Sequence, residues 1–132
     1  MKSTFFRFFP AVLMALLLSQ VAYAVDVVVI SNSGTTISAA DVKDVFLGEK
    51  QFAGGTKLIP VDNAASQANF LSKYMNMAGD KYNSMWTKKS FRDGLTPPAV
   101  KSGDAEVVDF VKRTPGAVGY VSSTPGGVNI VK

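Results

Sequence analysis

The chain has 132 residues, with 14 basic and 10 acidic side chains, and it contains neither cysteine nor histidine. The lack of cysteine excludes disulfides and thiolate metal sites, and the lack of histidine removes the commonest metal ligand and the usual general base. Ser–His and Cys–His nucleophilic systems are therefore excluded. The length fits one domain with its own core.

The first 24 residues have the parts of a cleavable export signal. Lys2 and Arg7 make a positive start, an apolar run follows over 8–18, and Ala22 and Ala24 are the small residues of a cleavage site. The apolar run is about half of the roughly 20 residues that a membrane anchor needs. We therefore expect a signal peptide over 1–24, cleavage after Ala24, and a single mature domain over 25–132 in the periplasm.

The predicted leader also accounts for half of the formal net charge of +4. It holds two basic residues and no acidic one, so its removal lowers the net charge from +4 to +2. The remaining basic residues occur at most in pairs, such as Lys88-Lys89 and Lys112-Arg113. This charge is too diffuse to predict a nucleic-acid partner.

The start of the mature chain predicts a strand and a short helix. The β-branched run Val25–Ile30 indicates a strand buried on both faces, and the polar loop Ser31–Thr36 follows. Ser38 and Asp41 have the spacing of a capping box. The helix they begin has its apolar face at Val42, Val45 and Phe46, and Gly48 ends it.

The middle of the chain predicts a turn, a strand and two helices. The turn is 52–56, and the strand is 57–61, with Pro60 at a sheet edge or near the strand's end. Asp62 or Asn63 is expected to cap the next helix. Its apolar positions are Phe70, Leu71, Tyr74, Met75 and Ala78, and Gly79-Asp80 breaks it. Tyr82, Met85 and Trp86 indicate a further helix that ends near Phe91.

The last third predicts a loop, a helix and two strands. The loop is 92–98, and Ser102 is expected to cap a helix with apolar positions at Val107, Val108, Phe110 and Val111. The strands are 117–121 and 128–131, which we expect to pair as a hairpin. The whole pattern predicts an α/β fold, a mixed β-sheet flanked by helices.

Several segments in this order resemble the phosphate substrate-binding proteins of ABC importers, which have the periplasmic binding protein type II fold. The most specific is Pro115-Gly116-Ala117-Val118-Gly119-Tyr120-Val121, which follows an amphipathic helix and the earlier Thr96-Pro97-Pro98. The other matching pieces are Ser38–Gly48, Leu58–Val61, Phe70, Trp86 and Phe91. Together the matches extend over about 25–121.

The resemblance implies one lobe of that fold. Full-length members have two lobes and hold the anion in the cleft between them, whereas this chain is long enough for one, which corresponds to the second. It therefore resembles the short, single-lobe members of the family. The implied role is solute binding in transport, without a cofactor, a metal or catalysis.

The chain departs from the family at the phosphate ligands. After the strand matched by Leu58–Val61, full-length members have an arginine and an Asp-Gly-Ser-Gly-Thr stretch at a helix start. Here the sequence is Val61-Asp62-Asn63-Ala64-Ala65-Ser66-Gln67. The arginine and both glycines are absent, Asp62 adds a negative charge, and Ser66 is at most a partial match. The family's phosphate ligands therefore do not carry over.

Three places in the chain still carry candidate ligand groups, and each also has a purely structural interpretation. Asn63 and Ser66 begin a predicted helix, where they bind an anion or act as ordinary N-caps. Arg92, beside Asp93-Gly94, binds phosphate or forms a surface salt bridge. The polar loop offers a nest for an anion or is a plain strand-to-helix turn; its candidate residues are Ser31, Asn32, Ser33, Gly34 and Thr35.

Two functions follow from these observations. The first is a periplasmic solute-binding domain that holds phosphate or another small anion, with millimolar affinity for a lone lobe, about −4 kcal/mol. A homodimer, an ABC permease or a membrane sensor would then supply the second wall. The second is an interaction domain that keeps the fold without the ligand and docks on a sensor or transporter ectodomain. The spacing of the carboxylates does not favour a hydrolase.

Overall fold

A computed structural model describes residues 26–132, so the predicted leader and its cleavage site lie outside the described residues. The strands are β1 (Val28–Ser31), β2 (Phe52–Ala53), β3 (Thr56–Lys57), β4 (Ile59–Asn63), β5 (Ala99–Lys101), β6 (Ala117–Val121) and β7 (Asn129–Ile130). The helices are α1 (Val42–Phe46), α2 (Gln67–Phe70), α3 (Gly79–Asp93) and α4 (Asp104–Arg113). A 3-10 turn over Ala39–Asp41 precedes α1, and a π-helical turn over Leu71–Met75 continues α2.

Five of the strands form one mixed sheet in the order β5-β4-β6-β1-β7, while β2 and β3 form a separate hairpin. Strand β4 is parallel to β5 and β6, and β1 is antiparallel to β6 and β7. Helices α1, α2 and α3 cover one face, and α4 covers the other. The α/β fold with a mixed sheet flanked by helices, predicted from the sequence, is confirmed.

The last two strands do not pair with each other. Strand β6 has β4 along one side and β1 along the other, so both of its edges are filled. Strand β7 lies instead against β1, with Ile130 opposite Ile30. The predicted hairpin is therefore wrong: neighbouring strands in sequence usually pair, but here β1 occupies the edge that β7 would need.

Alternate residues of the central strands fill two apolar layers. Val29, Val118 and Tyr120 lie in the cluster with α1, α2 and α3, whereas Ile30 and Val121 lie in the cluster with α4. All five residues of β6 are buried, which is typical of a strand covered on both faces. The sheet thus separates two apolar cores. The candidate site is formed by polar groups at the carboxyl end of β4.

The predicted strand 57–61 is divided between two strands. Lys57 pairs with Phe52 in the β2–β3 hairpin, which occupies most of the predicted turn 52–56, and β4 begins at Ile59. Pro60 lies near the start of β4, before pairing with β5 begins at Val61. Pro60 therefore lies near one end of β4, on the side that β5 leaves open, which agrees with both positions predicted for it.

The helix after β4 starts later and ends earlier than predicted. Asp62 and Asn63 belong to β4, so neither caps it, and Ser66 precedes α2 instead. The helical run ends at Met75 because Asn76 adopts a left-handed conformation with φ +50°. Ala78 is therefore outside it, and Gly79-Asp80 begins α3 instead of breaking a helix.

The boundaries after α3 also differ from the prediction. Arg92 and Asp93 are helical, since α3 continues to the left-handed Gly94. Strand β5, which has three residues, is not predicted by any sequence pattern. The residue that directly precedes α4 is Gly103, while the Ser102 hydroxyl donates to Glu106 over 2.8 Å.

Candidate functional site

The carboxyl end of β4 is where the family resemblance places an anion, and we call Asp62, Asn63, Ser66 and Gln67 the strand-end site. In open α/β sheets, ligands bind outside the carboxyl ends of the parallel strands. Strand β4 is the central parallel strand and ends at Asn63. A turn then leads into α2, so the four side chains belong to one strand-turn-helix connection.

Asp62 is a buried carboxylate with two tyrosine donors. Its side chain is 2% exposed, and Tyr120 and Tyr82 donate to its two oxygens over 2.8 and 2.9 Å. Burial raises the pKa of Asp62, while hydrogen bonds from Tyr120, Tyr82 and Gln67 oppose that rise. Burial and the neighbouring carboxylate raise the pKa of both tyrosines, so the hydroxyls stay protonated and donate.

An aromatic stack fixes one of these donors. The ring of Tyr120 lies 3.9 Å from that of Phe70 with an interplanar angle of 1°, and Phe46 packs against both. Tyr120 is fully buried in β6, and the packing of its ring restricts where its hydroxyl can lie. The packing of the core thereby positions the hydroxyl against Asp62.

A second carboxylate joins the site from α4. Asp104, in the first turn of α4, accepts from the Asn63 amide over 2.8 Å and from the Ser122 hydroxyl and backbone N–H. Partial burial raises the pKa of Asp104, but the hydrogen bonds from Ser122 and Asn63 outweigh it, so the net pKa is lowered. The Asn63 amide also donates to the Tyr120 carbonyl, which links the ends of β4 and β6.

The backbone donors of the turn after β4 are occupied. The Ala64 N–H donates to the Lys101 carbonyl, and the Ala65 and Ser66 N–H groups donate to Asn63. Ser66 lies at the N-cap of α2 without a side-chain capping hydrogen bond. The turn that the sequence offered as an anion cradle thus directs its donors to the protein itself.

The polar loop after β1 is likewise bonded internally. The Ser31 hydroxyl donates to the Thr35 carbonyl, and the Thr35 hydroxyl accepts from the Gly116 N–H. The Asn32 amide donates to the Val111 and Lys112 carbonyls at the end of α4, and its oxygen accepts from the Gly34 N–H.

From β7, the Asn129 amide donates to three carbonyls of this loop, those of Asn32, Ser33 and Thr35. The Ser33 and Gly34 residues are exposed. The loop therefore joins β1, the end of α4 and β7, and its predicted role as a ligand nest stays a prediction.

Arg92 lies on the surface, away from the strand-end site. Its guanidinium pairs with Asp93, with the Nε to Oδ1 distance at 3.2 Å and the side chain 71% exposed. Of the two sequence interpretations for Arg92, this contact matches the surface ion pair. The structure does not bring Arg92 together with Asn63 and Ser66, nor with the loop after β1.

A cleft of about 470 Å³ adjoins the strand-end site between α3 and β5. Asp62 and Gln67 line its inner end, and the exposed Phe91 and Val100 line its outer part. Residues 26–132 contain no group of three or more acidic side chains placed to hold a metal ion. No helix in the same range is long and apolar enough to cross a membrane.

Three partners of the site, Tyr82, Tyr120 and Asp104, are not predicted from the sequence. The sequence predicts Tyr82 on an apolar helix face and Tyr120 within a strand, and their rings are indeed in the core, but their hydroxyls bind Asp62. A buried tyrosine hydroxyl usually finds a polar partner, and Asp62 after an apolar strand was the available signal. Asp104 lies in the first turn of the helix predicted after Ser102, and nothing in the sequence joins it to Asn63.

Comparisons with known proteins agree with this architecture. A scan against protein-family models and a search of curated proteins found no match. Among solved structures, the chain is similar to PstS from Borrelia burgdorferi, with 17% identity and a TM-score of 0.57 over 80% of this chain and 46% of that one.

It is also similar to a protein from Clostridium perfringens described as a phosphate ABC transporter substrate-binding protein with bound phosphate. Here the identity is 14%, and the TM-score is 0.51 over 80% of this chain and 44% of the other. This chain therefore spans less than half the length of either. At such identities the likeness establishes the fold: a lobe like those of periplasmic binding proteins.

Proposed function

We propose that this chain is a non-enzymatic recognition domain with a periplasmic-binding-protein-like fold, which acts outside the cytoplasm by docking on a transporter or sensor ectodomain. The observation that carries the proposal is the Asp62 carboxylate, buried at the strand end where related folds have an anion. The location outside the cytoplasm rests on the leader sequence.

Electrostatics oppose phosphate at the strand-end site. Two unit charges of like sign 4 Å apart repel by about 4 kcal/mol at an effective dielectric constant near 20. That repulsion equals the whole binding free energy of a millimolar site, about 4 kcal/mol. Asp62 and Asp104 both border the position, so an anion there would meet two carboxylates.

The hydrogen-bond inventory points the same way. A selective anion site needs several converging donors. The Ala64, Ala65 and Ser66 N–H groups and both tyrosine hydroxyls are already directed to protein acceptors. Within residues 26–132, every buried side-chain polar atom has a partner. The donors of the turn 64–66 and the two tyrosine hydroxyls are therefore committed to protein acceptors and not to a ligand.

The second candidate function is weak binding of phosphate or another small anion together with a partner. It is favoured by the fold likeness to PstS and to a longer protein described with bound phosphate, of which this chain covers 46% and 44%. A second copy of the chain, or a permease, would provide the missing wall. The ligand groups would then come largely from that partner.

A catalytic role has little support from the described residues. The buried carboxylate Asp62 is held by tyrosine hydroxyls, and Asp104 is held by Asn63 and Ser122. Neither is paired with a second carboxylate in the manner of an acid–base couple. The similar protein from Clostridium perfringens is described as a transporter substrate-binding protein, which supports a binding role.

Thermal melts discriminate between the two functions. The full chain, expressed for export and purified as the cell processes it, is melted with phosphate, with sulfate and with chloride at matched ionic strength. A ligand at about 100 times its Kd adds about 2.7 kcal/mol of stability. We expect phosphate to add no more than chloride does. A saturable stabilisation by phosphate alone would favour the second function and contradict the first.

Cross-linking in the native cell tests docking directly. The expected product joins the chain to a membrane protein with a domain outside the cytoplasm, and gel filtration shows whether a homodimer is the partner instead. If the chain is found in the cytoplasm, or if its only cross-linked product is a homodimer, the proposed docking role is wrong.

A further inference from the structure

A cleft of about 490 Å³ opens at the amino end of β4, and we call it the edge notch. Strand β5 pairs with β4 only from Val61 onward, so the first residues of β4 have no neighbour on that side. The β2–β3 hairpin, the loop 94–98, α3 and α4 enclose the gap. Its lining includes Lys50, Lys57, Pro60, Trp86, Pro98 and Phe110.

The inner surface of the edge notch is apolar. Leu58, Val61, Trp86 and Pro98 are buried residues of its lining. Pro60 lies on the open edge of β4 and has no N–H, so this edge lacks a donor that water would otherwise satisfy. A surface of this kind favours an apolar ligand over water.

The charge at the edge notch has one sign. Lys50 and Lys57 are its charged lining residues, and no aspartate or glutamate lines it. Within residues 26–132 neither lysine forms an ion pair. Two ammonium groups beside an apolar cleft are complementary to a ligand with an apolar body and a single anionic group.

We propose that the edge notch binds a small organic acid, with its hydrocarbon body on the apolar wall and its carboxylate at Lys50 and Lys57. The volume is within the usual range of small-molecule sites, about 300–1,000 Å³. The site is at the opposite end of β4 from Asp62, and it stands independently of the proposed docking role.

Trp86 makes this proposal directly measurable. It is the single tryptophan of the chain, its N–H donates to the Phe46 carbonyl, and it lines both the edge notch and the cleft beside the strand-end site. Its emission therefore reports binding, and the lysine variants assign that binding to the notch. Octanoate is the probe, with octanol and octylamine as neutral and cationic ligands of equal length. Tryptophan fluorescence and calorimetry on the full chain, purified as the cell processes it, give the affinities.

We expect octanoate to bind saturably and to change the emission of Trp86, with octanol and octylamine binding about ten-fold more weakly. The double variant K50Q/K57Q should lose about ten-fold in octanoate affinity while its affinity for octanol is unchanged. The variant K88Q, on an exposed part of α3 outside both clefts, is the control for loss of a surface charge and should bind as the unmodified chain does.

Three results would overturn the proposal. The first is absence of octanoate binding by both methods. The second is equal affinity for octanoate, octanol and octylamine, which would mean that the lysines contribute nothing. The third is an equal loss of octanoate affinity in K50Q/K57Q and K88Q, which would indicate a general charge effect. Thermal melts of each variant confirm that it is folded.

Discussion

Gly119, within the buried strand β6, is a position where an added methyl group should overpack the core. A Cβ at this glycine would lie 2.6 Å from Cγ1 of Val107 and 3.2 Å from Cγ2 of Val61. Carbon atoms in contact prefer about 3.5–4.0 Å. Both neighbours are fully buried, β-branched side chains with restricted χ1 angles, so neither can turn away freely.

The expected effect of Gly119→Ala is a loss of about 1–2 kcal/mol in unfolding free energy. Overpacking of a core costs about 1–3 kcal/mol. The reduced entropy of the unfolded chain returns about 0.4–1 kcal/mol at a position whose backbone alanine can adopt. Gly119 does not have a positive φ, so the cost comes from packing. Each kcal/mol corresponds to about 4–8 °C in Tm for a domain of this size.

The assay is urea and thermal unfolding of Gly119→Ala beside Gly126→Ala. Gly126 has open space around its Cβ position and no positive φ, so its alanine variant should match or slightly exceed the stability of the unmodified chain. Adding Val107→Ala to Gly119→Ala removes the closest atom, so the double variant should lose less than the sum of the two single losses. Equal stability of the two glycine variants, or simple additivity, would refute the packing argument.

Three further predictions concern the pH dependence, the loop after β1 and the leader. Burial raises the folded pKa of Asp62, so the stability that its protonated form contributes is fully present below the unfolded pKa near 3.8 and is lost as pH rises through the folded pKa. In unfolding titrations, the unmodified chain should therefore gain stability relative to Asp62→Asn as pH falls from 7 to 4. A stability difference that does not change with pH would contradict this. Asn32→Ala removes the amide that donates to two carbonyls at the end of α4 and should lower the unfolding free energy in urea by about 1–3 kcal/mol. Ser33→Ala, at an exposed residue of the same loop, should change it by no more than about 0.5 kcal/mol. Equal losses in the two variants would count against the loop's structural role. N-terminal sequencing of the exported protein should begin at Val25, and a retained leader would contradict the cleavage site.

Local patterns were sufficient for most helices and strands but not for the pairing of the strands. The apolar spacing of Val42, Val45 and Phe46 identified α1, and the run 117–121 identified β6, because each pattern reports burial of that segment alone. The position of β7 depends on β1, some 100 residues earlier in the chain, having taken the free edge of β6. Strand β5 has three residues, two of them exposed, so it leaves little periodic signal.

The candidate site was predictable in part. Asp62 was identified because its charge conflicts with an anion site, and the structure shows this carboxylate buried and hydrogen-bonded. Its partners Tyr82 and Tyr120 come from α3 and β6, and only the packing of these elements on one face of the sheet brings their hydroxyls together. The ligand roles considered for Ser31, Ser66 and the residues near them stay predictions.

Equilibrium dialysis of the full exported chain against labelled phosphate at pH 7.5 tests directly whether Asp62 closes the strand-end site to anions. We expect no saturable binding at phosphate concentrations up to about 1 mM, because repulsion of about 4 kcal/mol removes the affinity of a millimolar site. The Asp62→Asn variant, measured beside it, separates the charge from the rest of the site. Binding of one phosphate per chain with a Kd below about 0.1 mM, unchanged in Asp62→Asn, would contradict the claim.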